Sequence, residues 1–185
     1  KEILTDSRPH IGTFKLVSMV ENMRAEIIRL GGEIRFDQKV ERVLREDGAE
    51  NAKSQITGIS LSNGDTLYSR HIILAIGHSA RDSFQMLLDH GVYIEAKPFS
   101  IGYRIEHPQS TIDKARFGAQ AGHPILGAAE YKLVHHCKSG RSVYSFCMCP
   151  GGFVVGATSE VGRVVTNGMS QHSRNERNAN SGLVV

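Results

Sequence analysis

The residues best suited to chemistry are one histidine and two cysteines in the second half of the chain. If residues 138–141 form the turn of a hairpin, His136 pairs with Val143, and His136, Cys147 and Cys149 share one face. One imidazole and two thiols on a face could form a partial zinc site, but Cys147 lies two pairs along the hairpin from His136 and Cys-x-Cys is an uncommon metal spacing. Free thiols packed as small apolar groups are the favoured interpretation, and a thiol redox role is a further alternative. No metal ligand is assigned.

Two polar segments are candidates for contact with an anion. His10 precedes a helix, and together with Arg8 and the helix N-terminus it could hold an anion. The stretch 166–175 is dense in hydrogen-bonding groups, with one cation, Arg174, inside it and a second, Arg177, just after it. For both segments, an ordinary structural loop is the alternative interpretation.

A buried strand followed by a helix is the strongest local signal. Residues 71–77 form an apolar run that predicts a strand buried on both faces, as in a parallel sheet. Ser79 and Asp82 match a capping box for a helix over residues 80–90. Ligands of open α/β sheets bind at the carboxyl ends of strands. Gly77 lies there and has no Cβ, so a ligand edge could approach it; a plain strand-to-helix turn is the alternative.

The elements that must position these residues differ between the two halves. The first half predicts a helix, a small antiparallel meander with a bulge near Gly58, and the strand and helix just described. The second half predicts mostly antiparallel strands, and the change falls near Lys97 and Pro98. The fold class is therefore α/β plus mostly antiparallel β. The predicted elements are a helix over 14–30 capped by Thr13, strands over 33–37, 40–45, 54–62 and 66–68, a loop over 47–53, a turn at 63–65, strands over 99–106, 131–137, 142–148, 153–158 and 163–166, and a short helix within 108–117.

Composition excludes several classes of protein. The 185 residues are 40% hydrophobic and 22% charged, which excludes disorder or a coiled coil as the main architecture. The longest apolar run, residues 72–76, is far shorter than the roughly 20 residues of a membrane span. No signal peptide is predicted, and no stripe of cations with aromatics indicates nucleic-acid binding. Three cysteines predict a reducing, cytoplasmic location.

Several motifs together resemble the uncharacterised FAD-dependent dehydrogenases, a bacterial group within the glutathione-reductase-like flavoproteins. The matching stretches are residues 9–13, 73–82, 97–108, 145–152 and 166–170, among which GHSARD and FCMCPGG are specific. The resemblance implies a fragment of a longer protein. Residues 1–96 would be a partial FAD-binding, Rossmann-like domain that lacks the glycine-rich first βαβ turn. Residues 97–185 would be a β-rich, inserted second domain, cut at its C-terminal end.

The resemblance also implies four cofactor-binding residues. Val40 would meet the adenine edge of FAD through its backbone. Ala75, Ile76 and Gly77 match an Ala-Thr-Gly motif that passes close to the adenosine and pyrophosphate. Ile76 replaces the usual threonine and so removes a hydroxyl. The loop around His10 falls where this class brings residues near the flavin ring.

The expected function is that of an FAD-dependent oxidoreductase whose substrate, redox partner and catalytic residues are unassigned. Electrons would come from NAD(P)H or from a bound substrate. Residues 97–185 could instead be a non-catalytic binding or interface module. Neither a G-x-G-x-x-G nor a P-loop occurs in the chain. We therefore expect this chain alone to be inactive and to bind FAD weakly or not at all. Three missing charge-assisted hydrogen bonds, at roughly 1.5–3 kcal/mol each, correspond to about three to six decades of affinity.

Overall fold

The computed structural model describes residues 4, 10–46 and 54–185. The loop predicted over 47–53 lies outside these residues. The described elements are helices α1 (Thr13–Arg29), α2 (Arg81–Asp89) and α3 (Gln109–Phe117), and strands β1 (Val40–Glu46), β2 (Gln55–Leu61), β3 (Thr66–Tyr68), β4 (Gly102–Pro108), β5 (Val134–His136), β6 (Ser142–Cys149), β7 (Gly152–Gly156), β8 (Thr166–Ser170) and β9 (Asn178–Val184). Every strand pair among them is antiparallel.

The chain divides into two compact units. The meander unit is Gly32–Lys97, and the sheet unit is Pro98–Val185 together with the described part of Lys1–Gly31. Helix α1 is therefore grouped with the second half of the chain. That residues 1–96 and 97–185 correspond to a partial FAD-binding domain and an inserted domain stays a prediction.

The meander unit contains the three-stranded sheet β1-β2-β3. Leu44 pairs with Gly58 and Arg45 pairs with Ile56, so Thr57 is an extra residue and the predicted bulge is confirmed. The turn after β2 is also as predicted, since Gly64 has a φ of 91° between the two strands. The strand predicted over 33–37 is wrong. No partner strand lies beside it in the described structure, and the meander begins at Val40.

Helix α2 packs on β1 through its buried residue Leu87. The predicted capping box does not form, because the helix begins at Arg81 after Ala80 and has no side-chain cap. The Asp82 carboxylate instead accepts a hydrogen bond from the backbone N–H of Ser83 at 2.9 Å and forms an ion pair with Lys39. Lys39, the residue before β1, thus pairs with the carboxylate that a capping box would need.

The apolar segment 71–77 has no strand partner in the described structure, which differs from the predicted buried strand. Ile73 is 93% exposed, and Leu74 and Ala75 are exposed as well. The physical reason is that a parallel strand needs hydrogen-bonded neighbours, and the described residues supply none.

The sheet unit contains a four-stranded sheet in the order β4-β9-β6-β5 and a two-stranded sheet of β7 and β8. Strand β9 lies between β4 and β6, and Ala179, Asn180 and Ser181 on it are fully buried. No pattern in the sequence predicted this strand. Strand β8 begins where the predicted strand 163–166 ends, so part of the predicted polar loop 166–175 is a strand.

Gln109, at the start of α3, connects three segments of the sheet unit. It is buried, and its amide nitrogen donates to Asp113 Oδ1 at 2.7 Å and to the carbonyl of Ala129 at 2.9 Å. Its amide oxygen accepts the N–H of Gly151 at 2.8 Å. A buried polar side chain with all of these partners holds the segments together.

Candidate functional site

A cleft of about 350 Å³ in the meander unit contains the first of the predicted cofactor-binding residues. Val40 is half-buried at the start of β1 and lines the cleft beside Lys39, with Asp82 and His90 contributed by α2 and its C-terminal end. The Nζ of Lys39 lies 2.6 Å from Asp82 Oδ2. The hydrogen bond from Lys39 lowers the pKa of Asp82, and Asp82 in turn raises the pKa of Lys39. The cleft is therefore bordered by an ion pair of opposite charges.

The other three predicted residues lie outside the lining of this cleft. Ala75 and Gly77 are exposed and Ile76 is half-buried. Gly77 has a φ of 69°, and nothing lies within 4 Å of the position that a Cβ would occupy. A flat ligand edge could therefore approach the backbone at Gly77. Glycine adopts this positive φ at no steric cost, and because it has no Cβ it leaves the space beside the backbone open.

These residues fit one part of FAD and not another. The open approach at Gly77 and the cleft at Val40 fit contact with an edge of the cofactor. The chain has no glycine-rich phosphate loop, and α2 begins without a side-chain cap. The donors that a pyrophosphate needs are thus not assembled by the described residues of this unit.

His10 has structural contacts in the sheet unit. Its Nε2 lies 2.9 Å from the carbonyl oxygen of Gln171 and 3.2 Å from Ser170 Oγ. His172 Nδ1 lies 2.9 Å from the carbonyl of His10. Thr13, the predicted cap, is inside the helix and donates its hydroxyl to Ser170 O at 3.2 Å. These bonds favour the structural-loop interpretation of His10, and Arg8 lies outside the described residues.

The predicted register of the hairpin is wrong, and the zinc-site alternative depended on it. His136 pairs with Ser142, not Val143. Cys137 N donates to Arg141 O at 2.8 Å, so the turn has three residues and Gly140 adopts a φ of 84°. A shift of one residue reverses which residues share a face. Across residues 10–46 and 54–185, no three His, Cys, Asp or Glu side chains converge closely enough to hold a metal ion.

A bulge in β6 places the two cysteines. Phe146 pairs with Gly182 and Cys149 pairs with Asn180, so β6 has one residue more than β9 over this interval. Within the bulge, Cys147 adopts a left-handed backbone conformation with a φ of 49°. Its side chain is exposed, whereas that of Cys149 is buried. Burial raises the pKa of the Cys149 thiol; the adjacent Cys147 thiol raises it further, and Arg104 opposes the shift.

Arg104 and Asn180 surround this bulge, and sequence reasoning assigned neither of them to a site. Arg104 Nη1 donates to Asn180 Oδ1 at 2.7 Å and to Cys147 O at 3.2 Å. A Cβ at Gly168 would lie 2.6 Å from Arg104 Nη1 and 2.7 Å from Cys149 Sγ, so these groups converge on the space that the glycine leaves free. Asn180 Nδ2 is buried and has no partner among the described residues. The sequence signal that could have indicated Arg104 is its position between Tyr103 and Ile105 in β4.

The two cations of the polar stretch do not form a common anion site. Arg174 is half-buried with a φ of 51°, and its Nε lacks a partner in the described part of the chain. Its backbone lies so close to Gly151 that a Cβ there would overlap the Arg174 carbonyl. Arg177 is exposed, and its carbonyl accepts the N–H of Gln109. Arg174 thus packs its backbone against Gly151, and Arg177 contributes a backbone hydrogen bond to Gln109, so both have structural contacts.

A second cleft, of about 820 Å³, lies along β4 in the sheet unit. Its apolar lining was not predicted, because the residues come from segments that are separate in the sequence, around 99–104, 146 and 164–165, and meet only in the folded sheet unit. The side chains that give it its character are Phe99, Tyr103, Arg104, Phe146, Val164 and Val165. One guanidinium among aromatic and branched side chains suits an apolar ligand that carries an anionic group.

No helix within the described ranges has both the length and the apolar character to cross a bilayer.

Comparison with known proteins gives two findings. Residues 98–185 match a family described as "FAD-dependent protein, C-terminal domain-like". The whole chain is 48% identical over 185 residues to an "Uncharacterized protein" of Clostridium beijerinckii. The chain spans 33% of the length of that relative. The match supports an FAD-dependent protein family and suggests that the chain is a fragment or domain of such a protein.

Proposed function

We propose that this chain is an internal portion of an FAD-dependent oxidoreductase. The observation that carries the proposal is the match of residues 98–185 to the C-terminal domain-like family of FAD-dependent proteins. The length of the relative supports it, because that protein is about three times as long as this chain. The missing phosphate-binding turn would come from the longer protein.

The meander unit would be part of the FAD-binding, Rossmann-like domain. Two features support this assignment. The segment 71–77 is apolar yet exposed and unpaired, as expected of an inner strand whose neighbours belong to another part of the protein. Gly77 at its end combines a positive φ with open space. Val40, Ala75, Ile76 and Gly77 would then contact one side of the cofactor.

The chemistry would come from the flavin, which when bound accepts two electrons from a donor and passes them to an acceptor. The residues of this chain would bind and orient the cofactor edge. NAD(P)H is the donor that we propose to test first. The sheet unit would provide the surroundings of the substrate, and its cleft beside Arg104 is the place where an anionic group would be neutralised.

The test is an anaerobic reduction of the full-length protein. The purified protein should show the visible absorbance band of a bound flavin, and the released cofactor should be FAD. Addition of NADH or NADPH without oxygen should bleach that band, and air should restore it. Bound FAD that no nicotinamide reduces would remove NAD(P)H as donor and leave a bound substrate as the source of electrons. A protein that binds no flavin would overturn the proposal and favour the interface-module alternative for residues 97–185.

A further inference from the structure

The bulge in β6 lies at Cys147 and places the thiol of Cys149 against the backbone of Cys147. On a regular strand, alternate residues are about 6.6–6.8 Å apart, whereas a disulfide needs Cβ atoms about 3.5–4.5 Å apart. Here the extra residue bends the strand at Cys147, which has a φ of 49°, and the Sγ of Cys149 lies 3.5 Å from the carbonyl oxygen of Cys147. The buried thiol is therefore held next to Cys147 in the reduced protein.

The two thiols differ in access in a way that suits an exchange reaction. Cys147 is exposed and lines a cleft of about 470 Å³ whose charged residues are Arg116, Lys132 and Glu130, so cations outnumber the carboxylate. These cations can attract an anionic small molecule to the exposed thiol. Cys149 is buried behind it, next to Arg104 and Asn180. One sulfur can thus meet a reagent from solution while the other can reach only its neighbour.

We propose that Cys147 and Cys149 form a reversible intramolecular disulfide, with Cys147 as the attacking thiol and Cys149 as the resolving thiol. This site is independent of FAD binding by the protein. The oxidant is a low-molecular-weight disulfide.

The exchange balances in two steps. The Cys147 thiolate attacks one sulfur of the small disulfide, the S–S bond of that molecule breaks, and one small thiolate leaves and takes up a proton. Cys149 then loses its proton to solvent and attacks the Cys147 sulfur of the mixed disulfide. The Cys147–Cys149 bond forms and the second small thiol leaves. Two protein thiols are oxidised, and one small disulfide is reduced to two thiols.

The chain contains its own control thiol, Cys137. Cleavage after lysine and arginine places it in the peptide 133–138, whereas both Cys147 and Cys149 lie in the peptide 142–163. The full-length protein is equilibrated with graded ratios of oxidised to reduced glutathione, quenched, alkylated, digested and analysed by mass spectrometry. We expect peptide 142–163 to lose two hydrogen atoms and both alkylation sites together, while Cys137 stays alkylated.

The fold-dependent part of the proposal is tested by repeating the equilibration in concentrated guanidinium chloride. Because the bulge holds the Cys149 thiol next to Cys147, the equilibrium constant for disulfide formation should be at least about tenfold larger in the native protein. The Cys137→Ser variant should behave like the wild type. In Cys147→Ser, the remaining Cys149 should react slowly with an alkylating reagent until the protein is unfolded. An equal constant in the native and denatured protein, or native glutathionylation of Cys137 without loss of hydrogen in peptide 142–163, would overturn the proposal.

Discussion

Gly77 is the single residue on which the cofactor-site proposal can be tested most locally. Its φ of 69° and the open space at its Cβ position predict that a Gly77→Val substitution puts two methyl groups where the cofactor edge would lie. We expect flavin occupancy of the full-length protein to fall while the fold survives. The measurement is the ratio of flavin absorbance to protein after purification.

A matched control separates backbone strain from loss of contact. Gly64 also has a positive φ, 91°, and open space around it, but it lies in the turn after β2. A left-handed conformation costs a residue with a side chain about 1–2 kcal/mol at either position. Gly64→Val should therefore keep its flavin. If Gly77→Val retained as much flavin as Gly64→Val, the assignment of Gly77 would be wrong.

Gln109 carries the second prediction, which concerns stability. Replacing it by alanine leaves the buried N–H of Gly151 and the carbonyl of Ala129 without their partner. Each unsatisfied buried group is costly, so we expect Gln109→Ala to lower the free energy of unfolding by about 2–4 kcal/mol. Denaturation in urea measures it. The control is Gln120, an exposed glutamine of the same unit, and Gln120→Ala should change the free energy of unfolding by less than about 0.5 kcal/mol.

At the scale of elements, the Lys39–Asp82 pair connects the residue before β1 with α2 and should make the packing of these two elements dependent on pH. Lys39 lowers the pKa of Asp82, so the folded carboxyl group binds a proton less readily than the unfolded one. The stabilisation is therefore present at neutral pH and is lost as the pH falls below about 4. The pair is exposed, and we expect a small effect.

The comparison of wild type with Asp82→Asn measures this contribution. The difference in unfolding free energy between them should be largest at neutral pH and should shrink toward zero in acid. Glu21→Gln removes an exposed carboxylate from α1 and serves as the control for net charge. A difference that grows in acid would contradict the direction of the shift.

The segment 71–77 gives a prediction that separates this chain from the longer protein. If it becomes an inner strand there, the backbone amides of residues 72–76 should exchange slowly with deuterium in the full-length protein. In the isolated chain the same amides have no strand partner among the described residues and should exchange rapidly. Strand β2 is paired on both sides here and should be protected in both proteins. Rapid exchange of 72–76 in the full-length protein would contradict the proposed strand.

Elements with a local signal were predictable from the sequence, and those that depend on distant partners were not. Helix α1 and the meander were found because apolar spacing and turn residues such as Gly64 are local features. Strand β9 reads Asn-Ala-Asn-Ser-Gly-Leu-Val and lacks the alternation and branched residues of a typical strand. It is a strand because β4 and β6 pair with it on both sides and bury it.

The candidate site residues also divide into those with a local sequence signal and those that depend on distant partners. Val40 was assigned through the family resemblance, and Gly77 through that resemblance and its place at the end of a predicted strand; the structure places Val40 in the lining of a cleft and leaves the space at Gly77 open. The convergence of Arg104, Asn180 and Cys149 could not be read from the sequence, since it depends on the register of two sheet pairings and a bulge. The face shared by His136 and the two cysteines was predicted wrongly for the same reason, because a turn one residue shorter changed the register.

At the scale of the whole molecule, much of the apolar surface of this chain has no covering. Helix α1 has no buried residue, although Val20, Met23 and Ile27 form an apolar stripe on it. A stripe of this kind normally packs on another element. Together with the exposed segment 71–77 and the threefold length of the relative, it supports a larger protein in which these surfaces are buried.

The central claim is that the protein to which this chain belongs binds FAD. The most direct measurement is the amount of FAD released from the purified full-length protein by denaturation, relative to protein concentration and after incubation with excess FAD. We predict a near-equimolar ratio for the full-length protein, and a ratio near zero for the isolated chain, which lacks the phosphate-binding turn. A full-length protein that stays free of FAD after this incubation would contradict the account.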